Sequence, residues 1–278
     1  MSSVPQPSPE SSTAALRPHR ATTVAALRTA GCVFAEEEAE LLLSAARTAE
    51  ELHAMVARRA SGRPLEHVVG WAEFRGLRIS VDEGVFVPRR RTEFLVDRAA
   101  ALAPAAGAVV VDLCCGSGAL GAALAAGLHR PELHASDIDP AAVRCARRNI
   151  AAPGSVHLGD LFAPLPPRLR GRVDVLLANV PYVPTEEVEL LPAEARAHEA
   201  RVALDGGRDG LDVLRRVAVE AAEWLAPGGS LLFETSERQV PAATAIVTAG
   251  GLVASVETCE DLWATVVVGT RRAADDRT

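Results

Sequence analysis

The chain has 278 residues, 49% of them apolar and 23% charged, enough to bury a core and too apolar to stay unfolded. Lys and Arg total 29 against 36 Asp and Glu, a formal net charge of −7, which argues against a generally basic nucleic-acid surface. Five cysteines, with Cys114 and Cys115 adjacent, fit a reduced cytoplasmic protein, and no stretch reads as a transmembrane segment or signal core.

Residues 1–14 are rich in Pro and Ser and are expected to form a disordered tail. Residues 15–69 carry helical patterning and predict a small helical N-terminal domain. Val24 and Leu27 form a short apolar stripe, and Leu41, Leu42, Ala45, Ala49, Leu52, Met55 and Val56 read as one longer stripe. Gly31 and Gly62 suit helix ends. Residues 70–90 read as a hairpin linker. The run 73–81 partly alternates like a half-buried strand, residues 82–84 suit a turn, 85–87 an extended run, and Pro88 a stop.

From residue 91 to 278 short apolar strands alternate with helices. Strands are expected at 108–113, 132–136, 155–158, 173–178 and 230–234. A glycine-led helix follows the first, a helix from Pro140 to Asn149 the second, and a helix between Leu211 and Leu225 precedes Pro227-Gly228-Gly229, which is expected to end it. Residues 253–258 and 265–269 suggest a closing antiparallel pair. This order predicts an α/β fold whose mostly parallel sheet is covered on both faces.

In such a sheet, ligands meet the carboxyl ends of the strands. The first strand runs into Asp112-Leu113-Cys114-Cys115-Gly116-Ser117-Gly118, where glycine lets backbone approach a ligand and a helix start at once. Asp137 lies about 20 residues beyond, where an acid can accept from a ribose diol. Asp160 follows the third strand. Acids at three successive strand ends repel a pyrophosphate and suit a cofactor with a positive centre, which favours S-adenosylmethionine over NAD. Each Asp also fits an ordinary turn or cap. No Lys follows Gly118, so a nucleotide-triphosphate loop is excluded, and the cysteine pair lacks partners at metal-ligand spacing. After the fourth strand comes Asn179-Val180-Pro181-Tyr182. The Asn179 carbonyl and the Val180 backbone carbonyl can accept both hydrogens of a substrate NH2, Pro181 stiffens the turn, and Tyr182 can pack on a planar group. A plain loop with a packed aromatic is the other reading of the same residues.

Together these residues resemble the protein-(glutamine-N5) methyltransferases, which act on the Gly-Gly-Gln loop of peptide chain release factors. That family carries Asn-Pro-Pro-Tyr after strand four. Further likenesses are Glu73-Phe74-x-Gly76-Leu77, Val87-Pro88-Arg89-x-x-Thr92-Glu93, the loop at 112–118 and Ala203-Leu204-Asp205-Gly206-Gly207-x-Asp209-Gly210. The resemblance runs from about Gly70 to the C-terminus. It implies a Rossmann-like class I methyltransferase with an antiparallel C-terminal strand, using S-adenosylmethionine and no metal. Catalysis is expected from Asn179, Val180, Pro181 and Tyr182. Cofactor binding is expected from Asp112, Cys114, Gly116, Ser117, Gly118, Asp137, Ile138, Asp160, Leu161 and Asn179, with Arg89 and Thr92. Arg89 can equally touch the peptide or hold the linker to the body. His198 and Glu199 read as a satisfied surface pair. The expected partner is a release factor, with no membrane and no direct nucleic-acid binding, and the chain is expected to be a cytoplasmic monomer. Departures are Val180 for the first proline, Cys114 for a glycine, Arg90 and Arg91 where Pro and Glu are common, and the lack of an arginine soon after Glu260-Asp261-Leu262-Trp263. The alternatives are an adenine N6-methyltransferase, which faces the same planar NH2 but needs a basic groove, a dehydrogenase, which leaves 179–182 unexplained, and a cofactor-binding paralogue with another protein substrate.

Overall fold

The computed structural model describes residues 16–273, so the tail expected at 1–14 lies outside the described residues. By its internal contacts the chain divides into two compact units. One reaches Trp71 and takes in Pro192–His198; the other holds Ala72–Leu191 and the chain from Glu199 onward. The segment expected as a separate linker thus belongs to the second unit from Ala72.

In the first unit, α1 (Arg20–Thr29), α2 (Ala35–Ala45), α3 (Ala49–Ala60) and α4 (Leu65–Val69) bury Leu27, Ala39, Leu42, Leu52 and Met55. The single stripe drawn through 41–56 is two helices. The chain turns extended at Ala46, and Thr48 caps α3 by accepting the Glu51 N–H at 3.2 Å. That Thr-x-x-Glu spacing is the start signal the stripe concealed. Gly31 and Gly62 close α1 and α3 in the left-handed conformation, as expected. Buried Arg59 donates to both carboxylate oxygens of Glu38, at 2.6 and 2.9 Å, and to Glu194 of a short helix later in the chain at 2.6 Å.

β1 (Trp71–Phe74), which belongs to the second unit from Ala72, and β2 (Leu77–Ser80) form a two-stranded sheet. The run 73–81 is therefore not one strand. Arg75 and Gly76 both take positive φ, 48° and 72°, which makes a two-residue hairpin turn. Residues 85–87 form no strand; Val85 and Val87 bury into the core instead.

Among the described residues the main sheet has β3 (Val109–Leu113), β4 (Glu132–Asp137), β5 (Ser155–Leu158), β6 (Val173–Ala178), β7 (Leu225–Glu234), β8 (Val253–Cys259) and β9 (Ala264–Thr270). The order is β5-β4-β3-β6-β7-β9-β8, with β9 alone running against its neighbours. Strand periodicity sorts the core onto two faces. Val110, Val175, Leu177 and Leu232 meet α5 (Glu93–Leu102), α6 (Ala119–Gly127) and α7 (Pro140–Asn149); Val111, Leu176, Leu231 and Phe233 meet α8 (Asp212–Trp224) and α9 (Val240–Ala249). The expected strands are present, but β7 starts at Leu225. Pro227-Gly228-Gly229 lies inside it, across a register shift against β6, and does not end α8. The patterning left α5 and α9 unassigned.

Removing Arg59 would strand the Glu38 carboxylate in the interior. Arg59→Met is expected to destabilise the N-terminal unit by about 3 kcal/mol, read from urea unfolding followed by helical circular dichroism; an unchanged midpoint would refute the role.

Candidate active site

β3 lies between β4 and β6, so the strand order reverses there and opens a crevice at the carboxyl edge. The β3–β6 register pairs Leu113 with Ala178. The chain therefore leaves β3 into the glycine loop and leaves β6 into Asn179 side by side, one strand spacing apart, about 4.8 Å.

The glycine loop is strained and tightly packed. Cys114, Gly116 and Gly118 have φ of 53°, 55° and 77°. A side chain at Gly118 would stand 3.1 Å from Ala146 and Ile150, and one at Gly121 would stand 2.9 Å from the Asp112 carboxylate. Gly116 faces open space, with only Phe86 at 4.0 Å from where a Cβ would be. Fully buried Asp112 accepts the Gly121 N–H at 2.9 Å through Oδ2, while its Oδ1 has no partner. Burial pushes its pKa up to about 7, the Gly121 N–H opposes the shift, and the charge of Asp137 adds to it. Asp137 ends β4. Its two oxygens accept the N–H groups of Gly116 at 2.8 Å and Asp139 at 2.9 Å, and burial again raises its pKa. Asp160 sits past β5, paired with Arg216 at 2.5 Å. Burial, then the charges of Asp137, Asp112 and Asp160, push the Cys114 thiol well up, so it stays protonated. A buried, negative crevice whose deepest carboxylate keeps one oxygen unused is the complement of a cation carrying hydrogen-bond donors. The sulfonium and ammonium groups of S-adenosylmethionine fit it; a pyrophosphate does not.

The other expected residues fall around this edge. Ser117 is buried, and its carbonyl accepts the Asn149 side chain at 2.8 Å. Exposed Ile138 offers an apolar surface beside Asp137. Leu161 takes φ 47° and its carbonyl accepts the Ser136 hydroxyl at 2.8 Å. Thr92 is buried ahead of α5. Arg89 is tied to Glu199 at 2.6 Å and its guanidinium covers the Phe86 ring at 4.9 Å. Glu199 is thus no surface residue: its side chain is 0% exposed and also accepts the Val87 N–H at 3.1 Å. His198 falls in the other unit.

Asn179 is half-buried, and its amide makes no hydrogen bond among the described residues. The carbonyls that follow are mostly occupied. Gln239 Nε2 donates to the Tyr182 carbonyl at 2.9 Å, and the Gly206 N–H donates to the Val183 carbonyl at 2.8 Å. The stretch 203–210 is the bed of this loop. A Cβ at Gly206 would stand 2.5 Å from the Pro181 carbonyl, and one at Gly210 would stand 2.2 Å from that of Tyr182. Both glycines are required by close approach. Val180 is buried in the apolar cluster with Leu113 and Leu161. Gln239, Arg91 and Glu234 were not found from sequence. The Ser236-x-x-Gln239 capping box was a usable signal for the first.

A family model described as the methyltransferase small domain matches residues 77–209. Release factor glutamine methyltransferases are close in sequence: that of Mycolicibacterium smegmatis is 44% identical over 198 residues, 68% of this chain and 69% of its own. That of Streptomyces coelicolor is 38% identical over 214 residues, 76% of this chain and 72% of its own. That of Bradyrhizobium diazoefficiens is 33% identical over 257 residues, 84% and 86%. The chain belongs to the release factor glutamine methyltransferase family. The fold agrees: a crystal structure of a methyltransferase from Pyrococcus furiosus superimposes with a TM-score of 0.52 at 17% identity, over 78% of this chain and 97% of that one. The glycine-rich stretch at 203–210 shapes the loop after β6 by close backbone approach at Gly206 and Gly210.

Two outcomes follow from this geometry. Gly210→Ala should push the Tyr182 carbonyl aside and cut methyl transfer at least about tenfold, with cofactor affinity by calorimetry unchanged; full activity would show that the loop tolerates displacement. A cationic cofactor favours ionised Asp112, so its binding releases a proton near neutrality. Affinity for S-adenosylmethionine should therefore rise as pH increases through about 7, and Asp112→Asn should abolish that dependence. Proton release is read by calorimetry in buffers of different ionisation enthalpy, and a flat profile in the wild type would refute it.

Proposed function

We propose that this chain transfers the methyl group of S-adenosylmethionine to the side-chain amide nitrogen of the Gly-Gly-Gln glutamine in a peptide chain release factor. The observation that carries this reading is the adjacency of Asn179, whose side-chain amide is unbonded among the described residues, and of the Val180 backbone that follows it to an acid-lined glycine loop. A primary amide is planar and presents two N–H groups. Asn179 Oδ1 and the Val180 carbonyl accept one each, which fixes the plane of the amide and turns its nitrogen toward the methyl. When bound, S-adenosylmethionine supplies a methyl already activated by its positive sulfonium. Asp112, Asp137, Gly116 and Ile138 hold that cofactor, with Cys114, Ser117, Gly118, Asp160, Leu161 and Thr92 shaping the pocket walls.

An amide nitrogen is a weak nucleophile because its lone pair is delocalised. Acceptors on both N–H groups raise electron density at nitrogen as the bond to carbon forms, and one of those hydrogens is released as a proton to solvent. The chain's contribution is alignment and electrostatics at the carboxyl edge of the sheet, not covalent catalysis. Both cysteines beside the site stay protonated and serve as packing.

We read the partner as a release factor, the working form as a monomer and the compartment as the cytoplasm. Support for the partner comes from the relatives named as release factor glutamine methyltransferases, and for the compartment from cysteines that form no disulfide.

Asn179→Ala is expected to lower methyl transfer at least about a hundredfold while cofactor affinity holds within about twofold. The readout is peptide mass spectrometry of release factor after incubation with enzyme and isotopically labelled cofactor. Label on the Gly-Gly-Gln glutamine supports the reading. Label on nucleic acid instead, or equal loss of binding and transfer in the variant, overturns it.

A further inference from the structure

The loop after β6 ends in a charged cluster. Tyr182 donates its hydroxyl hydrogen to Glu234 Oε1 at 2.9 Å. Arg91 Nε donates to that same oxygen at 2.7 Å, and Arg91 Nη2 hydrogen-bonds the Tyr182 hydroxyl. The guanidinium also lies over the Tyr182 ring, 5.9 Å from its centre. Glu234, the last residue of β7, has a side chain only 4% exposed, whereas Arg91 is 46% exposed. Arg91 therefore approaches from the solvent side and clamps the aromatic ring against an interior carboxylate.

The two ends of Asn179–Tyr182 are held differently. The start is fixed by β6, whose last residue is Ala178. The finish depends on side chains: Gln239 holds the Tyr182 carbonyl, and Glu234 with Arg91 holds its hydroxyl. Between them stand the acceptors that must match the width of a planar amide. Burial and the Glu234 carboxylate both keep the Tyr182 hydroxyl protonated, so it remains a donor across the working pH range. Arg91 completes the cluster, since it bonds both the Glu234 carboxylate and the Tyr182 hydroxyl.

We propose that Arg91 is a positioning residue for methyl transfer, acting through the Tyr182–Glu234 pair to hold the Asn179 and Val180 acceptors at the spacing an amide requires. The proposal rests on the glutamine-methylation reading above. Arg91 serves two acceptors at once through a rigid fork, a task a lysine cannot reproduce.

The test is a double-mutant cycle between Arg91→Lys and Tyr182→Phe, with release factor as methyl acceptor. Lysine leaves a positive charge beside Glu234, so the buried carboxylate stays compensated and the fold is kept. Arg91→Lys should lower kcat about tenfold, with the KM for S-adenosylmethionine and the thermal midpoint unchanged. Tyr182→Phe should lower kcat by a similar factor, and the double variant should lose no more than either single one. Arg91→Ala combined with Glu234→Gln, which removes both charges together, should show the same loss of kcat. Losses that multiply in the double variant, or an Arg91→Lys enzyme with wild-type kcat, would overturn the proposal. A parallel fall in cofactor affinity and melting temperature would overturn it too, since that marks a general structural role. A wild-type enzyme that labels no glutamine would instead fail the reading beneath it.

Discussion

The parallel register of β3 and β6 is the constraint on which the site depends. Because Leu113 faces Ala178, the glycine loop and Asn179 emerge at the same height on neighbouring strands. A one-residue slip would turn Asn179 to the opposite face and send Val180 outward, since side chains alternate along a strand. The slip is opposed by burial on both faces. Val110, Val175 and Leu177 fill one core, and Val111, Leu176 and Ala178 fill the other. Moving any of them one place would expose several fully buried side chains on each face, each costing about 1.5–3 kcal/mol. The catalytic geometry is thus fixed by hydrophobic packing far from the reacting atoms.

The crevice itself is defined by charge. Asp112 on β3 and Asp137 at the end of β4 carry raised pKa values chiefly because burial disfavours their ionised forms; the charge of Asp137 adds to the shift of Asp112, and that of Asp139 to the shift of Asp137. A cation placed against them would relieve that strain, since it favours the ionised forms. The substrate side is organised by backbone. Val180, where the resemblance leads one to expect a proline, packs its side chain into the same apolar cluster as Leu161, and its backbone carbonyl is one that any residue supplies.

Much of this was legible in the sequence because it is local. The strands read as short apolar runs, the glycines and acids followed them at fixed intervals, and Asn179-Val180-Pro181-Tyr182 followed the fourth. Features that failed to read were of two kinds. Helices α5 and α9 are largely apolar and rich in alanine, so they show little contrast between faces, and the stripe at 41–56 hid a capped break at Thr48. The other kind is long-range pairing. Arg91 meets a carboxylate 143 residues away, and Arg89 meets one 110 away, distances over which sequence carries no periodic signal. Glu199 was misread for this reason, because its partners come from the segment before α5.

Those two pairings explain a feature of the chain that neither glycine loop nor tetrapeptide accounts for, the run Arg89-Arg90-Arg91. Glu199 and Glu234 are both interior carboxylates, the second at the carboxyl end of β7. Left alone, each would carry a desolvation cost of several kcal/mol, on the order of what removing one member of a buried pair exacts. One short segment supplies an arginine to each, and the side chain between them is free to face away. The segment is thereby drawn onto the edge by two separate charges, and it fixes the entrance to α5 at the same stroke that it fixes Tyr182. Packing sets the register of the strands, and buried carboxylates then recruit the arginines that hold the loops the strands release.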